Sequence, residues 1–146
     1  MKSLLSDVCK LYISHAWQYG KEYDDLINLL KDPYFKYYNY SDVSELKDDV
    51  PTLNSTDREI EEFCRKRIEP VQIVILLTSK YYEFTGPVSV ELNIAQELNK
   101  PIISIYSQKH NDVPKEVVDI SKAVVQWQSS DIISAIRDNM IHNERS

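Results

Sequence analysis

Along the chain, stretches of adjacent or alternating apolar residues exchange regularly with stretches in which apolar residues recur every three or four positions. This exchange predicts strands and helices in turn. "VCKLYIS", residues 8–14, reads as the first strand, and "EYDDLINLLK" as a helix with Tyr23, Leu26, Ile27 and Leu30 on one face. "YFKYYNY" gives a second strand. Residues 41–55, "SDVSELKDDVPTLNS", are acidic and rich in turn formers, so they form the longest irregular connection and a candidate lid. "TDREIEEFCRKRIE" then predicts a helix that Thr56 caps and Glu59 closes with a capping box, with Ile60, Phe63, Cys64 and Ile68 turned inward. "VQIVILLTS" is apolar enough for a strand buried on both faces. A helix around "PVSVELNIAQELNK" follows, then a strand in "PIISIYS", a polar loop with a short turn at "PKEVVD", a strand in "AVVQW", and a last helix carrying Ile132, Ile133, Ile136 and Met140. Strands alternating with helices favour an α/β layer fold. Five of them suggest a flavodoxin-like parallel sheet of order 2-1-3-4-5, with a ligand crevice beyond the carboxyl ends of strands 1 and 3.

Within that pattern one residue is out of place. If the third helix starts near Pro87 and stops before Pro101, the neighbours of Glu91 on its own face are Pro87, Val88, Ile94, Ala95 and Leu98, whereas Ser89, Asn93 and Gln96 fall on the other side. A carboxylate in the apolar stripe is costly unless it is paired, hydrogen-bonded or protonated. A capping box does not explain it, because Val88 stands three residues earlier where Ser or Thr is required. The helix N-terminus eases the cost of an anion without removing it. A buried structural hydrogen bond and a functional acid both remain open from the pattern alone.

Length and composition narrow the field. With 146 residues, residues 1–146 are expected to form a single domain with a core of its own. Hydrophobic content of 42% and charged content of 27% are globular values, and no run approaches a membrane span. The opening "MKSLLSDVCKLYIS" lacks the apolar centre of a secretory signal, and Cys9 and Cys64 have no second pair to build a metal site. Reduced thiols in the cytoplasm are the expectation. A net charge of -6 without a basic block argues against nucleic-acid and anionic-membrane partners. Only Gly20 and Gly86 occur, too few for a Walker loop or a GxGxxG fingerprint, so a nucleotide would be held by another route.

Chemistry collects at the expected crevice. Strand 1 runs into "SHAWQYG", which brings Ser14, His15, Trp17 and Tyr19; strand 3 runs into "TSKYYEFTG", which brings Ser79, Lys80, Tyr81 and Tyr82. His15 or Trp17 alone would be an ordinary surface or packing residue. Grouped beside a carboxylate, they fit a pocket for an aromatic cationic ring and its sugar. No nucleophile elbow and no metal-ligand spacing is present. Thr78 and Ser79 stand where a phospho-receiver would carry its acceptor Asp.

The segments "LYISHAWQYGKEYDDLINLL", "FKYYNYS", "RIEPVQIVILLTSKYYEFTGPVSVELNIAQELNKPIISIY" and "AVVQW" with "DIISAIRDNM" together resemble the bacterial TIR-like family that includes the signalling subunit of the Thoeris antiphage system. The resemblance implies a flavodoxin-like TIR fold and a helix glutamate that cleaves NAD at the nicotinamide ribosyl bond. It further implies release of a cyclic ADP-ribose isomer that activates an effector protein. By motif position Glu91 matches the catalytic glutamate, His15 the loop position beside nicotinamide, and Asn39 and Ser41 the segment after strand 2. NAD enters as substrate, and no cofactor is expected. Pro87 stands where related sequences often carry Trp, so Trp17 or a tyrosine such as Tyr19 is expected to supply the aromatic wall. An adjacent subunit often completes the site in such families, which makes self-association an expectation here. Two other readings compete. "GPVSVELNIAQELNKPII" is also similar to nucleoside deoxyribosyltransferases, although Phe84 and Thr85 replace the Asp that those enzymes usually carry before the glycine. A non-catalytic interaction module would instead keep Glu91 in a structural hydrogen bond.

Overall fold

Odd and even positions of the first strand face different helices, and this division organises the molecule. The computed structural model describes residues 8–14, 20–42, 54–83, 85–106 and 113–140. In chain order its elements are β1 (Cys9–Ser14), α1 (Lys21–Leu29), β2 (Tyr37–Asn39), α2 (Asp57–Ile68), β3 (Ile73–Leu77) and α3 (Thr78–Glu83). They continue with α4 (Thr85–Glu97), β4 (Ile102–Ile105), α5 (Lys115–Ile120), β5 (Ala123–Val125) and α6 (Ser129–Asn139). The strands form one parallel sheet of order β2-β1-β3-β4-β5, the flavodoxin-like order that the sequence pattern predicts. In the register, Leu11 pairs with Ile73 and Ser14 with Leu76.

Because side chains alternate along a strand, each strand feeds two apolar layers. Cys9, Leu11 and Ile13 of β1, Ile73, Ile75 and Leu77 of β3, and Ile103 and Ile105 of β4 pack with Tyr23 and Leu26 of α1 and with Ile132, Ile133 and Ile136 of α6. On the other face Tyr12, Val74, Leu76 and Ile102 meet Cys64 and Ile68 of α2, Val88, Leu92, Ile94 and Ala95 of α4, and Val117 of α5. A sheet covered on both sides needs strands that are apolar at every position, and all five residues of β3 are buried. Burial of such side chains at about 25 cal/mol per Å² is the main stabilising term.

Several boundaries differ from the sequence reading, each for a local reason. The strand expected over "VQIVILLTS" ends at Leu77, and Thr78 and Ser79 already belong to α3. The Thr78 hydroxyl donates to the carbonyl of Ile105 at 3.0 Å, which ties the start of α3 to the end of β4. The second strand keeps only Tyr37–Asn39, because Asp32 folds the preceding residues into a turn: its side chain accepts from Tyr34 N–H at 2.7 Å and its carbonyl from Phe35 N–H at 3.0 Å. "PKEVVD" forms a helix, α5, rather than a bare turn. Thr56 and Glu59 form the expected capping box, with Glu59 N–H donating to Thr56 Oγ1 at 3.1 Å and Thr56 N–H to Glu59 Oε1 at 2.8 Å. Most of the acidic connection, residues 43–53, lies outside the described residues.

The helix that carries Glu91 begins at Thr85, so Pro87 falls in its first turn, where a missing N–H costs nothing. Its end is set before Pro101 is reached. Asn99 takes a left-handed φ of 58°, Asn99 N–H bonds the Gln96 carbonyl at 3.0 Å, and Lys100 N–H bonds the Ala95 carbonyl at 2.8 Å. These are the two bonds of a Schellman cap. Among the described residues no helix is long and apolar enough to cross a membrane.

Candidate functional site

Glu91 sits past the first turn of α4, with buried Val88, Leu92 and Ala95 around it, and is itself 0% exposed. At that depth the positive end of the helix has largely faded, so other groups must compensate the charge. They come from β1. Ser14 Oγ donates to Glu91 Oε1 at 2.6 Å, and Tyr12 Oη donates to Oε2. The two donors are two residues apart on one strand and therefore share the face that α4 covers. Hydrogen bonds to a charged group contribute about 1.5–3 kcal/mol each, enough for a pair to offset much of the desolvation.

Tyr12 is a strong anchor for this carboxylate. Its burial, followed by the nearby charge of Glu91, pushes the phenol well above its ordinary pKa, so it stays a hydroxyl donor. The Cys64 thiol of α2 lies in the same buried layer as Tyr12. Burial first, and the Glu91 charge second, raise the Cys64 pKa, so this thiol too remains protonated.

The other expected site residues fall into separate groups. On the opposite face of the sheet, Asn39 Nδ2 donates to Tyr23 Oη at 2.7 Å, and Asn39 Oδ1 accepts from Ser41 N–H at 3.0 Å and Ser41 Oγ at 2.5 Å. Tyr23 and Ser41 hydroxyls lie 3.4 Å apart. This cluster fastens the end of β2 to α1. Ser79, buried beyond the end of β3, donates to Glu22 in the first turn of α1. Tyr81 turns toward α5, where its hydroxyl donates to Glu116 at 3.0 Å, while its ring packs on the layer that contains Tyr12. His15, Trp17 and Tyr19 lie outside the described residues.

Three participants escaped the sequence reading. Tyr12 reads as one more aromatic in a strand, although its spacing of two from Ser14 places it on the same face. Tyr23 reads as part of the apolar stripe of α1. Glu22 reads as an ordinary acid in a first helical turn, and nothing in the pattern links it to Ser79.

The arrangement puts a desolvated carboxylate near the carboxyl end of β1, next to β3, where the strand order reverses. Ligands of open α/β sheets bind in such places. A carboxylate held there by hydroxyl donors is suited to accept hydrogen bonds from sugar hydroxyls or to stabilise a developing positive charge. Among the described residues no cluster of three or more His, Cys, Asp or Glu could hold a metal.

No curated protein matches the chain. The family profile described as Thoeris protein ThsB, TIR-like domain, matches residues 12–112, a span that opens on Tyr12 and includes Ser14 and Glu91. With more than half of its length matched and with the sheet order described above, the chain belongs to the family of ThsB TIR-like domains.

Proposed function

We propose that this protein is an antiphage signalling enzyme that cleaves NAD at the nicotinamide ribosyl bond, with Glu91 as the catalytic group. The observation that carries this reading is the Glu91 carboxylate, fully buried at the switch point of the sheet with both oxygens held by β1 hydroxyls. In NAD the ribose carbon is bonded to a pyridinium nitrogen. When that bond breaks, its electron pair stays on the nitrogen, and neutral nicotinamide leaves a ribosyl cation. A nearby carboxylate stabilises that cation and the transition state before it, more strongly where water is excluded. Capture by water, with loss of a proton, yields ADP-ribose. Capture by a nucleophilic atom of the same nucleotide, again with loss of a proton, closes a ring. The cyclic ADP-ribose isomer formed in this way is the signal that switches on a downstream effector.

The Asn39, Ser41 and Ser79 groups around the carboxyl edge supply hydroxyls and amides for the sugars and phosphates of the substrate, and Ser14 marks the place on the Glu91 carboxylate where a sugar hydroxyl binds. His15, Trp17, Tyr19 and Tyr81 are proposed for the aromatic half of the pocket. The protein works in the cytoplasm, where NAD is available. Self-association completes the site.

Replacement of Glu91 by Gln tests the assignment, because it keeps shape and hydrogen-bonding capacity while it removes the charge. The expected outcome is a folded protein whose NAD turnover falls about a hundredfold or more, followed by mass spectrometry of the nucleotide products. Full turnover in this variant would reject Glu91 as the catalytic group. Loss of the cooperative melt would instead favour a structural hydrogen bond and a non-catalytic module.

A further inference from the structure

We propose that the two oxygens of Glu91 have different tasks: Tyr12 holds Oε2 permanently as a positioning residue, whereas the Ser14 hydroxyl on Oε1 is a stand-in that a ribose hydroxyl of the substrate displaces. The inference rests on the NAD-cleaving reading and adds a division of labour inside it.

The asymmetry follows from the positions of the two donors. Ser14 is the last residue of β1, at the carboxyl edge of the sheet, and although it is buried its short side chain releases Oε1 by a single rotation about χ1. Tyr12 lies two residues deeper, about 7 Å along the strand. Its ring is packed in the layer with Cys64, Ile68 and Leu92. Both side chains are buried, but withdrawal of the Tyr12 ring would open a far larger void in a close-packed interior than rotation of the Ser14 hydroxyl. Glu91 is 0% exposed in this state, so a substrate oxygen reaches Oε1 only by taking the place of a group already there. A hydroxyl donor replaced by a hydroxyl donor leaves the carboxylate satisfied at every stage. With Oε2 fixed, the carboxylate plane keeps its aim at the ribose carbon during the exchange.

Steady-state NAD turnover by the full chain, measured for Tyr12→Phe, Ser14→Ala and Glu91→Gln, separates the roles. Tyr12→Phe keeps the ring and loses the donor, so kcat should fall by about tenfold while KM stays within about twofold. Ser14→Ala removes the competitor that the substrate must displace, so KM should fall by about tenfold and kcat/KM should rise. An increase in KM for Ser14→Ala would mean that Ser14 itself grips the substrate, and the stand-in role would be lost. Equal effects of both substitutions on kcat and KM would also overturn the proposal while NAD cleavage by Glu91 stands. If Tyr12→Phe fails to melt cooperatively, the direction of the Ser14→Ala change in KM decides alone. Undiminished turnover by Glu91→Gln is the separate outcome that removes the reading underneath.

Discussion

Glu91 and the two cysteines are buried titratable groups, and the protein treats them in opposite ways. Glu91 receives hydroxyl donors. Cys9, buried among apolar neighbours, receives no such support and is pushed up from 9.0 to about 12, and Cys64 is raised as well. The neutral thiol is therefore the folded form of both, and each becomes easier to ionise when the chain unfolds. Stability from this source is complete below pH 9.0 and is lost as pH rises toward about 12. The denaturation midpoint in urea should accordingly decline over that window. At neutral pH a thiol reagent should label neither cysteine until denaturant is added; rapid labelling of the native protein would contradict the burial of both. The conflict at Glu91 was legible in the sequence because a charge interrupts an apolar stripe. Its main anchor was not, since the hydroxyl of Tyr12 leaves no mark on a pattern that counts only apolar and polar positions.

Helix ends contribute a second, local set of controls on the site. The capping box at Thr56 could be read from Thr and Glu three positions apart, and the structure has both of its bonds. At the far end of α4 the sequence draws attention to Pro101, yet the stop is made by Asn99 in the left-handed region. A pattern reader notices Pro because it forbids a helix, and overlooks Asn because it merely tolerates the turn. The two caps give different expected outcomes. Thr56→Ala should cost about 1 kcal/mol. Asn99→Val should cost about 1–2 kcal/mol, because a β-branched residue is strained at positive φ, whereas Asn99→Gly should be neutral or better. Each kcal/mol corresponds to a shift of about 3 °C in Tm at this size. An Asn99→Val protein that melts with the wild type would mean that the left-handed turn is not what ends α4. Strand lengths were the least legible feature, as β2 and β3 show: their ends are fixed by the Asp32 turn and by the Thr78 hydroxyl, both side-chain bonds to the backbone.

For the molecule as a whole, the strand order followed from the alternation of strands and helices, because parallel strands need crossover connections and these are right-handed. How the candidate residues divide between the two faces of the sheet did not follow, since it depends on which strand positions point to which layer. The Glu91 group belongs to the α2 and α4 side and the Asn39 group to the α1 side. Under the proposed NAD-cleaving reading, one dinucleotide served by both would have to cross the carboxyl edge of the sheet, which would give a second copy a physical reason to close the site. Specific NAD-cleaving activity should then rise between nanomolar and micromolar protein. A flat profile with a monomeric mass by light scattering would discard that composite site and leave Glu91 as it is.

The hydrogen bonds from β1 to α4 span 77 and 79 positions in the chain. Contacts of such long range form slowly, because loop-closure entropy is spent before they return any stability. During synthesis Tyr12 and Ser14 emerge first and wait through two further strands before Glu91 can meet them. A nascent chain therefore carries the strand without the acid, and a chain cut anywhere between residues 15 and 90 carries the acid without the means to hold it. The proposed NAD-cleaving activity should thus be absent from fragments and from polypeptides that have not yet released Glu91 from the ribosome, and should appear only once the sheet around β1 and β3 has closed.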